Sequence, residues 1–146
     1  MVNAPEVLKG LELLAGRASS IYADFILAGP VNLWFKGLPG KLEPRYILVT
    51  SEASGPGLEK ALCINAHKLE WGEEWGGITG KLVRCRIYNS YTVEALVNPG
   101  LCGEKYEAKR LARDSGIVMI GNYMVRLAPL YFEVALGEAL HGKRSC

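Results

Sequence analysis

Any catalytic or metal-holding carboxylate in this chain has a small pool to come from. Only two aspartates occur, Asp24 and Asp114, whereas a divalent-cation site needs several oxygen donors brought to one place. Glu94, within Tyr91-Thr-Val-Glu-Ala-Leu-Val97, and Glu43, just before Pro44, are the other candidates. A solvent-facing position on a strand explains Glu94 as readily as a catalytic one. Gly76-Gly-Ile-Thr-Gly-Lys81 resembles a phosphate loop at first glance, but its spacing is short and Leu82 stands where a Mg²⁺-binding Ser or Thr belongs. His-Glu-x-x-His and Gly-x-Ser-x-Gly are both missing, which leaves zinc peptidase and serine hydrolase chemistry without an anchor. His67 and His141 fall near the ends of predicted helices, where a protonated imidazole suits the helix dipole. Lys105, Lys109 and Arg113 recur every fourth residue. On a helix they form one basic stripe able to meet phosphates, or an ordinary solvated face. Trp71, Trp75, Tyr88 and Tyr91 are residue types that anchor interfaces as well as pack cores.

The four cysteines, Cys63, Cys85, Cys102 and Cys146, include no Cys-x-x-Cys pair, so a zinc site is not expected. Glutamine is absent, a composition compatible with a thermophilic source in which intracellular disulfides are kept. One or two disulfides are therefore expected, their connectivity open. With 17 Lys+Arg against 15 Asp+Glu the formal net charge is +2, too small to argue for general adhesion to nucleic acid or membranes. No run of about 18 apolar residues and no leader-like amino terminus occurs, which makes the expected location cytoplasmic. The length, 146 residues, suits one domain over residues 1–146 with one sizeable core.

The elements that must position these side chains follow from punctuation and period. Asn3-Ala-Pro-Glu6 is a helix start, and Val7, Leu8, Leu11, Leu14, Ala18 and Ile21 follow at helical spacing. Phe25-Ile-Leu-Ala28 is a short apolar strand stopped by Gly29-Pro30, and Val31-Asn-Leu-Trp-Phe-Lys36 is a short helix. Arg45-Tyr-Ile-Leu-Val-Thr50 is a second buried strand. A helix is predicted from Ser54 to about Leu69, with Leu58, Leu62 and Ala66 on one face, followed by a turn-rich bridge over 71–77. Residues 81–88 and 91–97 read as a hairpin that Asn98-Pro-Gly100 ends. A basic helix over 104–114, strands over 117–120 and 123–127, and a last helix from Pro129 to Leu140 complete the chain. The order α-β-α-β-α-β-β-α-β-β-α specifies an α/β (α+β) fold with one mixed sheet covered by helices.

The first half of this order, from helix through strand 25–28, Gly29-Pro30 and short helix to strand 46–49, resembles the minimal nucleotidyltransferase fold. That superfamily includes small antibiotic-modifying nucleotidyltransferases and abortive-infection toxins. Its pattern is an apolar strand ending in Gly-Gly or Gly-Ser, a helix, a loop, and a strand bearing Asp-x-Asp. Tyr91-Thr-Val-Glu-Ala-Leu-Val97 is similar to the strand that delivers its third carboxylate, here Glu94. Tyr123-Met-Val-Arg-Leu-Ala-Pro129 is similar to its closing strand and Ala-Pro turn. The resemblance spans roughly residues 5–143 and implies nucleotide binding near Gly29 and Asn32. The departures are chemical. Asp-x-Asp works because residues i and i+2 of a strand share a face and together hold paired cations. Here the window is Arg45-Tyr46-Ile47-Leu48, and neither register supplies a carboxylate. Pro30 removes one amide from the phosphate cradle, and Gly137 and Glu138 stand where relatives often carry a lysine. The expectation is a nucleotidyltransferase-like protein without catalysis or cofactor, acting through a nucleotide or a protein partner. Mg²⁺ enters only in the alternative, an active enzyme using Glu94, Glu43 and Asp24. A third alternative is an interaction module for nucleic acid or protein built on the basic helix with Lys105, Lys109 and Arg113 and on the aromatic hairpin.

Overall fold

The computed structural model describes residues 4–38, 42–43, 45–62, 65–69, 76–88 and 91–141. Helix α1 (Ala4–Ser20) buries Val7, Leu11, Leu14 and Ala18, the stripe its spacing requires. Strand β1 (Ile26–Ala28) runs directly into helix α2 (Gly29–Phe35), and β2 (Arg45–Thr50) follows. Helix α3 (Gly55–Leu62) leads to β3 (Asn65–Leu69), β4 (Ile78–Tyr88) and β5 (Tyr91–Leu101). A two-residue strand β6 (Glu104–Lys105), helix α4 (Ala108–Arg113), β7 (Gly116–Ile120), β8 (Tyr123–Leu127) and helix α5 (Leu130–Leu140) close the order. The strands form one mixed sheet in the order β3-β4-β5-β2-β1-β8-β7, with β6 on β5. None of the helices is long and apolar enough to cross a membrane, among the described residues.

Three expectations change. The helix predicted to run to Leu69 stops at Leu62, and residues 65–69 pair with the edge of β4 instead. The every-fourth spacing of Leu58, Leu62 and Ala66 is outweighed by that strand pairing. Asn98-Pro-Gly100 does not end β5. Thr79 pairs with Gly100 and Lys81 with Val97, so Asn98 and Pro99 stand opposite the single residue Gly80, and this bulge absorbs the missing proline N–H. The helix expected over 104–114 begins only at Ala108, whose N–H is taken by Asn98 Oδ1 at 2.9 Å, so Lys105 belongs to β6.

Alternation along the strands sorts the core into two layers. Leu27, Tyr46, Leu48, Val93 and Ala95 pack under α1. Ile26, Ala28, Ile47, Val49, Leu82 and Leu96 face the other way, against Leu111 of α4 and Phe132 and Leu136 of α5. The Tyr46 hydroxyl crosses the first layer to donate to the Val7 carbonyl at 2.7 Å, and it fills the space where a Cβ on Gly10 would stand.

Candidate functional site

Strand β2 lies between β1, antiparallel to it, and β5, parallel to it. Ile47 consequently has Ala28 on one side and Glu94 on the other. Because Tyr46 and Leu48 belong to the α1 layer, Arg45 and Ile47 share the opposite face with Glu94. Arg45, Ile47 and Glu94 therefore stand side by side on one face of the sheet.

The neighbours of Glu94 determine what it can do. Glu94 is 6% exposed, and strand β4 sets Arg84 directly across from it. Arg45 Nε donates to Glu94 Oε1, and Arg84 Nε donates to Glu94 Oε2 at 3.3 Å. Each carboxylate oxygen thus faces a guanidinium, a permanent cation that donates and never accepts. A divalent ion at this carboxylate would meet an arginine head on one side and the apolar Ile47 on the other. The residues present do not fit the paired cations of the fold family.

The turn after β1 is closed in a similar way. Gly29 has φ of +74°, and a Cβ there would come within 2.8 Å of Ile47 Cδ1, so both backbone and packing demand glycine. Its N–H donates to both oxygens of Glu133, on α5, at 3.1 and 3.0 Å. The Asn32 amide nitrogen donates to Glu133 Oε2 and, at 3.1 Å, to the Ala128 carbonyl. Asn32 is fully buried, and its Oδ1 has no hydrogen-bond partner among the described residues. Gly29 and Asn32, the expected nucleotide cradle, therefore hold the protein's own carboxylate. Burial pushes the Glu133 carboxyl up from 4.5 to about 7, against the opposing pull of the Asn32 and Gly29 hydrogen bonds and of Lys36. Sequence reasoning passed over Arg84 and Glu133. The available signal for Glu133 was an acid on the stripe Phe132, Leu136, Ala139 of the last helix.

The remaining candidates are scattered. Glu43 is exposed, two residues before β2. Asp24 is exposed at the far end of that strand, where its carbonyl accepts from Thr50 Oγ1 at 2.7 Å. Thr50 is three residues along β2 from Ile47, roughly 10 Å at strand rise, so Asp24 does not share one ion with Glu94. Among the described residues no group of three or more His, Cys, Asp or Glu could hold a metal. Lys109 and Arg113 lie exposed on α4 while Lys105 lies exposed on β6, so the three do not form one helical stripe. Lys81 of the phosphate-loop lookalike is inside β4. His141 caps α5 and is exposed, Glu138 is exposed and Gly137 half-buried. The side chains of His67, Tyr88 and Tyr91, and residues 71–75, lie outside the described part.

No protein-family model and no curated protein matches the sequence. Among solved structures, a candidate nucleotidyltransferase from Thermotoga maritima superposes over 96% of this chain and 88% of its own, with TM-score 0.70 and 15% identity. A nucleotidyltransferase-like antigenic protein from Paracoccidioides brasiliensis matches 87% of this chain at 14% identity and TM-score 0.46. A Helicobacter pylori protein matches 91% at 13% identity and TM-score 0.40. This chain spans 62% and 56% of those two, under two thirds of their length, and likenesses so loose carry no argument. At 15% identity the Thermotoga likeness speaks for architecture alone. On that architecture, one mixed sheet flanked by helices, the chain has the fold of nucleotidyltransferase-like proteins.

Proposed function

We propose that this chain is a nucleotidyltransferase-fold protein that does not perform metal-dependent nucleotidyl transfer and works by binding, of a nucleotide or of a protein partner. The observation that carries the reading is the seat of Glu94 between Arg45 and Arg84. In-line transfer by this fold needs oxygen ligands converging on two cations. Here the position is filled by a guanidinium that already neutralises the carboxylate, and Ile47 offers no donor. Glu133 supports the same reading, because it occupies the amides that would otherwise meet a phosphate.

The reading extends to a cytoplasmic protein made of one domain over residues 1–146, supported by a single sheet that carries α1 on one face and α5 on the other. A disulfide at Cys102 belongs to the same reading. The test is transfer from labelled ATP or GTP, with Mg²⁺ or Mn²⁺, to protein, RNA or the chain itself. The expected result is no label above background. Robust labelling that disappears in Glu94→Gln would overturn the reading.

A further inference from the structure

With its cleft filled by Arg45, Ile47 and Glu133, a binding protein of this fold needs another place for a ligand. A cavity of about 750 Å³ opens at the opposite end of β2 and β5. Its origin is topological. The two strands run parallel as far as Thr50 and Val97, where β2 turns away into α3 while β5 continues to Leu101. The bulge opposite Gly80, with φ of +121°, bends the β4–β5 arm, and Gly55, Gly80, Gly100 and Gly103 bring no side chains into the gap. The volume is that of a small-molecule pocket, and the space outside the carboxyl ends of parallel strands is where open α/β sheets take ligands.

The lining indicates the class of ligand. Lys81 and Lys105 both line the cavity, and Glu52 is the one acid among the described lining residues. Glu59, outside the lining, holds Lys81 Nζ at 3.1 Å. That pair is exposed and weak enough to yield to a competing anion. Lys105 is exposed and has no ion pair among the described residues. Val97 and Pro56 supply an apolar wall.

We propose that this cavity binds a phosphorylated small molecule, with its phosphate taken by Lys81 and Lys105 and its uncharged body against Val97 and Pro56. The inference rests on the reading that the chain functions by binding, and moves the ligand from the degenerate cleft to the other end of the sheet.

Calorimetry on the full chain tests it with ribose 5-phosphate, AMP, ribose and citrate. The two phosphate esters are expected to bind one per chain, with ribose and citrate giving no measurable heat. Each of Lys105→Ala and Lys81→Ala is expected to weaken binding about tenfold or more, as loss of a charge-assisted contact does. Lys9→Ala, on the exposed face of α1, is the control that keeps full affinity. Failure of both esters to bind, or citrate binding as tightly as they do, overturns the proposal. Binding lost in Arg45→Ala but intact in Lys105→Ala would place the ligand in the cleft. That result overturns the cavity assignment while leaving the binding reading standing, whereas nucleotidyl transfer in the labelling assay would defeat the reading itself.

Discussion

Glu133→Gln gives the sharpest test of how the cleft is closed. The carboxyl is raised from 4.5 to about 7, chiefly by burial. Folding therefore favours its protonated form, and the stability this group contributes is fully present below pH 4.5, declines as pH rises, and is gone above about pH 7. At about 1.4 kcal/mol per pH unit the loss across that window is on the order of 3 kcal/mol. Glutamine keeps an oxygen to accept from Gly29 N–H and from Asn32, and it does not titrate. The variant is expected to match the parent near pH 4.5 and to exceed it by up to about 3 kcal/mol at pH 8. Urea unfolding at pH 5 and pH 8, followed by far-ultraviolet circular dichroism, measures the difference directly, and every other titrating group cancels between the two proteins. Parallel pH profiles, or a variant less stable than the parent at pH 8, would refute the buried-carboxyl argument.

Other consequences concern the packing that sets the site. Gly29→Ala should cost about 2 kcal/mol or more, since it combines a left-handed backbone with a collision against Ile47, and Ile47→Val in the same chain should recover part of the loss. Chemical denaturation of the single and double variants shows whether the two costs couple; simple additivity contradicts the contact. Tyr46→Phe should cost about 1 kcal/mol by removing the buried hydrogen bond its hydroxyl adds to the Val7 carbonyl of α1, read from the denaturation midpoint.

The order of most elements was legible because glycine, proline and period mark it. The face of β2 was not. Tyr46 to Val49 are apolar without alternation and buried on both sides, so only the pairing of Ile47 with Glu94 tells which residues line the cleft. Glu133 escaped notice because its partners, Gly29 and Asn32, lie 104 and 101 residues away. Arg84 lies ten residues from Glu94, across a strand pair whose register shifts between Arg86 and Tyr88. The strand over 65–69 was hidden by spacing that suits a helix, and the run of β5 through Pro99 by a proline that reads as a stop until Gly80 provides the bulge.

The central proposal is that the guanidinium groups of Arg45 and Arg84 neutralise Glu94 and leave it unavailable to a metal ion. Electron paramagnetic resonance of Mn²⁺ titrated into the parent and into Arg45→Asp, a change at the partly exposed rim of β2, reads this out. The account predicts that the parent leaves Mn²⁺ free, and that uptake in the variant requires Arg84 to be replaced as well, since that guanidinium still faces Glu94. A parent protein that binds Mn²⁺ and releases it in Glu94→Gln would contradict it.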